Sequence, residues 1–322
     1  MNISNISQIN DKIRGICKGG VALQEPLKHH TTIGIGGAVS YFLSPDDMAQ
    51  LSEAVKFLSS NRVPLFVIGR GSNLLITDAE LPFAVIKLKA ACFKNMYRSD
   101  NRIFAGSGVG LREFVNFAAS EDLANSEFLT GIPGTIGGAL MMNAGVRDVM
   151  DDGGKKDISI SGLVEKIQVM DKTGKVCWLS RQEISFGYRS SSLKEYILLG
   201  AWFVLCPERK KNISERMKRF LAKKSGSQEL VLPSAGCIFK NPKNCAMSAG
   251  ELIERCKLKG YSIGDAQVSG AHANFIINKG DASYQEVKAL MNIMREMVLD
   301  KFGIELEPEV EIWENKKDDS DG

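Results

Sequence analysis

The chain has 322 residues, 44% of them apolar and 25% charged, with a formal net charge of only +3. That profile describes a globular protein long enough for two or three domains, and it speaks against a general nucleic-acid binder, which needs a strong basic excess. Seven cysteines without a C-x-x-C pair, beside three histidines, speak against a zinc site.

The odd cysteine count fits reduced thiols. MNISNISQINDKIR offers no apolar core for a secretory signal, so the expected compartment is the cytoplasm. The longest apolar run, YILLGAWFVLC (196–206), is about half of the roughly 20 residues a spanning helix needs. It reads as a buried strand, and no membrane association is expected.

Residues 1–26 read as an N-terminal arm, either mobile or loosely docked as a helix. PDDMAQLSEAVKFLSS (45–60) predicts a helix with Asp46 or Asp47 near its N-cap. PLFVIG (64–69), FAVIKL (83–88) and RIFAGSG (102–108) predict strands, and GLREFVNFAASEDL (110–123) an amphipathic helix. LVEKIQVMDKTGKVCWL (163–179) predicts a hairpin turning at Lys172-Thr173-Gly174. NISERMKRFLAKK (212–224) is a basic amphipathic helix at a domain entry. Ser248 with Glu251, and Ser283 with Glu286, have capping-box spacing. The second box opens a helix with Val287, Leu290, Met291, Met294, Met297 and Val298 on one face, a stripe that reads as core. VEIW (310–313) predicts a last strand, and ENKKDDSDG (314–322) a disordered tail. Helices and strands mixed without a strict βαβ rhythm predict an α+β fold.

Two segments carry more glycine than connectivity demands. Gly69-Arg70-Gly71-Ser72-Asn73-Leu74 follows a strand; its glycines let backbone amides turn toward an anion, and Ser72 and Asn73 add side-chain donors. It is neither a Walker loop nor a G-x-G-x-x-G fingerprint, and taken alone a plain tight turn accounts for it equally well. Gly131-Ile-Pro133-Gly134-Thr135-Ile-Gly137-Gly138 is denser and precedes LMMNAG, where amides could meet a pyrophosphate. Together the two suggest one dinucleotide held between two lobes.

HHTTIGIGGAVSYFLSP, VIGRGSNLLITD, FLTGIPGTIGGALMMNAG, ISFGYRSS, PSAGCIFKNP, SAGELIERCKLKGYSIGDAQVSGAHANFIIN and LEPEVEIW occur in that order. In this register the chain resembles the UDP-N-acetylenolpyruvoylglucosamine reductases, over nearly its whole length. The likeness is to the shorter type, without an extra tyrosine-bearing loop. The resemblance implies a two-lobed FAD-binding domain of the vanillyl-alcohol-oxidase-like (PCMH) type, followed by a smaller α+β substrate domain. The corresponding boundaries are an arm at 1–26, lobes at 27–95 and 96–210, a substrate domain at 211–313 and a tail at 314–322.

The implied activity is an NADPH-dependent reduction of UDP-N-acetylenolpyruvoylglucosamine to UDP-N-acetylmuramate in bacterial peptidoglycan precursor synthesis. It uses non-covalent FAD and supports cell shape and division. Gly69 to Leu74 and Gly131 to Gly138 would hold the FAD pyrophosphate, mostly through backbone. Arg189 would offer its planar fork of donors to the substrate carboxylate. Glu309 would serve as an acid or set the charge around the enolate-like species. Cys237 stands where the family usually has the serine that donates a proton; a thiol ionises near 8.5, far below an alcohol, so it is the easier donor. Taken alone, such a cysteine is ordinarily a buried apolar filler. Tyr188, Lys240, Asn241 and His272 are the implied substrate-binding residues, with Lys224 and Gln228 as weaker diphosphate candidates. His29 and His30 read as surface or structural residues, and for His272 a structural role is almost as good a reading.

The implied partner is a UDP-sugar, with no nucleic acid and no metal, and a monomer is expected. VRDVMDDGGKKDISISG (146–162) departs from the family and reads as a surface loop. Gly34 and Glu229 replace a commoner basic residue and a proline. Another FAD-dependent oxidase of the same fold, and a non-catalytic binding protein, are the competing readings.

Overall fold

The computed structural model describes residues 3–18, 20–149, 155–225, 232–243 and 245–315. The chain forms two compact units: Met1–Leu23, Tyr41–Gly69 and Pro82–Ala222 in one, Gln24–Ser40, Arg70–Leu81 and Lys223–Gly322 in the other. One four-stranded sheet is ordered Val21–Pro26, Ala38–Leu43, Leu81–Ile86, Leu65–Val67.

In the first unit, helix α1 (Ile3–Ile16) is docked rather than a mobile arm. Ile9, Ile13 and Ile16 fall on one face at helical spacing and are buried. They share a core with Leu51, Val55 and Leu58 of α2 (Met48–Ser60). Asp47 is the N-cap of α2, accepting the Gln50 N–H at 2.8 Å.

A five-stranded antiparallel sheet follows, ordered Val176–Ser180, Val164–Met170, Ile197–Val204, Arg102–Gly106, Met96–Ser99. The first two strands are the hairpin predicted around Lys172-Thr173-Gly174, with Gly174 at φ +76°. Alternation puts Ile167, Val169, Ala201, Phe203, Ile103 and Ala105 in one core with Phe114, Val115 and Ala118 of α3 (Leu111–Ser120). The short helix α4 (Ile136–Met141) supplies Ile136, Ala139 and Leu140 to the same core. Helix α5 (Lys210–Ser225) anchors there through Phe220. Its Arg216 also pairs with Glu127, which is only 3% exposed, at 2.8 Å.

The stretch 146–162 is not a plain surface loop. Gly145–Val149 and Lys155–Ser159 form an antiparallel hairpin, with Arg147 opposite Asp157 and paired to it at 3.0 Å. The opposite charges that suggested a solvated loop meet across the strands. Residues 150–154 lie outside the described chain.

In the second unit, a sheet ordered Ser234–Cys237, Phe275–Asn278, Ala266–Val268, Ser262–Ile263 packs with α6 (Ala249–Arg255) and α7 (Tyr284–Phe302). Strands Leu74–Ile76 and Glu311–Trp313 pair in parallel. Both capping boxes form, at Ser248/Glu251 and Ser283/Glu286. The α7 stripe is core at Val287, Leu290, Met291, Met294 and Val298, but Met297 is 40% exposed. Met297 is three residues past Met294 and falls at the edge of the apolar face. Tyr284 and Lys288 both bond to the Glu314 carboxylate, and burial pushes the Tyr284 phenol up to about 12. Gln228, Glu229 and tail residues 316–322 lie outside the described chain. No helix among the described residues is long and apolar enough to cross a membrane.

Candidate active site

Cys237 ends strand Ser234–Cys237, opposite Phe275, and is half-buried. Gly236, directly before it, has φ +77°, a conformation that suits glycine. The residues after Cys237 turn to a second partner. Glu309 N–H donates to the Ile238 carbonyl at 2.7 Å, and Lys240 N–H donates to the Glu307 carbonyl at 2.9 Å. Thus a short antiparallel ladder sets EPEV beside GCIFK. Asn73 of the first glycine loop joins it: its side-chain amide donates to the Glu309 carbonyl at 3.1 Å, and its own carbonyl accepts the Glu311 N–H at 2.9 Å. Segments 71 (309−238) and 236 (309−73) positions from Glu309 are tied to its backbone groups.

The remaining side chains of this unit are largely engaged. Lys240 Nζ is 3.3 Å from Glu307. Asn241 Oδ1 accepts the Ala249 N–H at 3.0 Å at the start of α6, which leaves its NH2 group for other acceptors. His272 Nδ1 accepts the Asn274 N–H at 3.1 Å, and burial, the leading cause, holds its pKa below the usual value. His30 Nε2 lies 2.9 Å from Glu25. Buried Asn274, which the sequence reading passed over, grips the Cys237 segment. Its Oδ1 accepts the Phe239 N–H at 3.0 Å and its Nδ2 donates to the Phe239 carbonyl at 2.8 Å. The only sequence signal for it was a short amide in HANF.

Arg189 belongs to the first unit. Tyr188 and Arg189 form the two-residue loop of a tiny hairpin, Phe186–Gly187 with Ser190–Ser191. Arg189 has φ +52°, which is uncommon for a residue with a Cβ. Its guanidinium donates to the Gly145 carbonyl at 3.0 Å and lies 5.2 Å from the Tyr188 ring centroid. Asn143 holds the hairpin in place: Nδ2 donates to the Gly187 carbonyl at 2.8 Å, while Oδ1 accepts the Ser161 N–H at 3.3 Å. Asn143 and Gly145 are the N and G of MMNAG, so that motif acts on Arg189.

The glycine loops need their glycines. A Cβ on Gly69 would sit 2.6 Å from Thr135 Oγ1. Gly71 is at φ +64° against the His30 carbonyl, and its own carbonyl accepts the Thr32 N–H at 3.1 Å. Arg70 is exposed, whereas Ser72 and Leu74 are half-buried. In the second loop Gly131 and Gly134 have φ +76° and +151° around Pro133. A further glycine segment, Gly106-Ser107-Gly108-Val109-Gly110, supports this loop. Leu111 N–H bonds to the Gly134 carbonyl at 3.1 Å, Ile136 N–H to Val109 at 2.8 Å, and Gly137 N–H to Ser107 at 3.0 Å. Gly138 N–H reaches the Thr135 hydroxyl at 3.3 Å. The amides of residues 136–138 are therefore spent inside the protein, and Gly137 serves close packing, its Cβ position being 3.0 Å from Ser107 Cβ.

The second loop fits a bound dinucleotide on two observations: close packing at Gly69 and Gly137 that crowds a Cβ, and buried hydroxyls of Ser107 and Thr130 that have no partner among the described residues. Among those residues no group of three or more His, Cys, Asp or Glu is placed to hold a metal ion.

A family model described as UDP-N-acetylenolpyruvoylglucosamine reductase, C-terminal domain, matches residues 228–313, and one described as FAD binding domain matches residues 38–180. A protein of Caldanaerobacter subterraneus subsp. tengcongensis named UDP-N-acetylenolpyruvoylglucosamine reductase is 38% identical over 94% of this chain and 97% of its own length. The chain belongs to the UDP-N-acetylenolpyruvoylglucosamine reductase family. A Thermotoga petrophila reductase is 39% identical over 90% of this chain and 98% of its own. The crystal structure of the Thermus caldophilus reductase matches with a TM-score of 0.76 at 32% identity, covering 91% of this chain and all (100%) of that one. As a UDP-N-acetylenolpyruvoylglucosamine reductase, the chain is an FAD-containing oxidoreductase of peptidoglycan precursor synthesis, with the FAD-binding fold in its first part and the family's own C-terminal domain in its last. The reading as another oxidase of the same fold is not favoured, because the reductase C-terminal domain is present.

Proposed function

We propose that this reductase donates its proton from Cys237, holds the substrate carboxylate with Arg189, and sets the charge around the reacting carbons with Glu309. FAD, when bound at the two glycine loops, supplies the hydride that NADPH provides. The protein's own task is then position, charge and a proton. Arg189 offers a permanent charge and two parallel donors to a carboxylate whose negative charge grows during the reaction. Cys237 carries a more acidic proton than a serine in its place would, and it donates that proton as the neutral thiol. Tyr188, Lys240, the free NH2 of Asn241 and, less directly, His272 are read as contacts to the UDP-sugar, with Lys224 as a diphosphate contact. The protein is read as a cytoplasmic monomer whose partner is that sugar nucleotide, with neither nucleic acid nor membrane involved.

The observation that carries this reading is the chain of bonds from Asn73 to Glu309 and from Glu309 to Ile238, beside Cys237. It puts the segment of the expected proton donor, the expected acid and the cofactor loop in one hydrogen-bonded unit. The test is NADPH oxidation by FAD-loaded protein on addition of UDP-N-acetylenolpyruvoylglucosamine. Oxidation that needs both the sugar nucleotide and bound flavin is expected. A flavin-loaded protein that leaves NADPH untouched in its presence would sink the proposal.

A further inference from the structure

Four buried side-chain polar atoms lack a hydrogen-bond partner among the described residues: Ser107 Oγ, Thr130 Oγ1, Glu165 Oε2 and Arg295 Nε. The last two belong to charged groups that have opposite charges nearby, Arg102 at 3.6 Å and Glu305 at 3.3 Å. The first two are hydroxyls, and both flank the same glycine loop. Thr130 directly precedes Gly131. Ser107 is 5% exposed and its carbonyl takes the Gly137 N–H at 3.0 Å. Its hydroxyl is 3.4 Å from the place a Gly137 Cβ would occupy.

A buried hydroxyl without a partner costs stability, so such groups are rare and need an explanation. Here the explanation is local. The amides of Ile136, Gly137 and Gly138 are used up holding the loop's shape. Three of the loop's amides are thus unavailable to an anionic or oxygen-rich ligand, and two idle hydroxyls lie beside it. We infer that Ser107 and Thr130 are cofactor-contacting residues whose hydroxyls donate to oxygen atoms of bound FAD. The inference rests on the flavoenzyme reading and extends the site beyond the two glycine loops, to a residue in a third glycine turn.

The experiment titrates flavin-stripped full-length protein with FAD, following flavin fluorescence, for wild type, Ser107→Ala, Thr130→Val and Thr130→Ser. Each loss of a hydroxyl is expected to raise the FAD Kd about three- to tenfold, the worth of one neutral hydrogen bond. Thr130→Ser, which keeps the hydroxyl, should bind within about twofold of wild type. Melting temperatures of the stripped variants should equal or exceed wild type, because an idle polar atom has been removed. If Ser107→Ala and Thr130→Val both bind FAD within about twofold of wild type, the inference is overturned. If wild type itself takes up no FAD, the flavoenzyme reading fails instead.

Discussion

Asn73 donates its side-chain amide to the backbone carbonyl of Glu309 at 3.1 Å. This bond uses the backbone of Glu309, so removing it and changing the Glu309 side chain are separate perturbations. Asn73→Leu should weaken the unit by about 1 kcal/mol, the net worth of a hydrogen bond, and lower both melting temperature and turnover. Glu309→Gln keeps every backbone bond. It should slow turnover of the enolpyruvyl substrate by about a hundredfold. Thermal melts beside steady-state kinetics check both; a Glu309→Gln protein with full turnover would remove Glu309 from the mechanism.

Cys237→Ser should keep turnover within about tenfold, since a hydroxyl can still donate. Cys237→Ala should lose about a hundredfold or more, the usual worth of general acid catalysis. Stopped-flow reduction of the bound flavin by NADPH should be unchanged in both, because that half of the reaction needs no proton from residue 237. Wild type should also lose product formation on treatment with a thiol oxidant, while Cys237→Ser resists. An alkylated wild type that forms product at full rate would show that another group donates.

Asn143 acts on Arg189 through the Gly187 carbonyl and the hairpin it closes. Asn143→Ala should raise KM for the sugar nucleotide about fivefold with little effect on KM for NADPH. Arg189→Lys keeps the charge but loses the planar fork, and kcat/KM should fall about ten- to a hundredfold. Equal rises in both KM values for Asn143→Ala would point to general loosening of the fold.

His272 accepts the Asn274 N–H through Nδ1, so it must be neutral there. Burial lowers its folded pKa beneath the usual 6.5. Its contribution to stability is therefore fully present above about pH 6.5 and is lost as pH falls through the lower, folded value. Asn274 holds both polar groups of Phe239, two residues from Cys237, so acid should loosen that segment. His272→Asn, which retains an acceptor but does not titrate, should flatten the fall in melting temperature between pH 7 and 5. A parallel fall in variant and wild type would exclude His272 as its source.

Local patterns were readable where local physics decides. The N-cap Asp47, the two capping boxes and the turn at Gly174 depend on residues within a few positions, and each forms as the sequence suggests. The misreadings share a cause. The 146–162 segment looked like a solvated loop because its charges were counted singly, whereas Arg147 and Asp157 meet only once the strands pair. Met297 matched the stripe by spacing, yet its place at the edge of the face left it exposed. Residues 106–108 read as a strand end, because their role as a turn lies in bonds such as that from Gly137 N–H to Ser107.

By itself, the order of motifs in this sequence determined the family and the flavin-binding fold, and it pointed to the candidate residues for the chemistry. It also determined helices such as α2 and α7, because capping and apolar spacing act over a few residues. What only the tertiary structure decided was which groups remain available. Backbone bonds bring Glu309 and Asn73 to the Cys237 segment, consume the amides of Gly137 and Gly138, and leave the hydroxyls of Ser107 and Thr130 idle. Hydrogen-bond satisfaction is settled between distant parts of a chain, so it cannot be read along one.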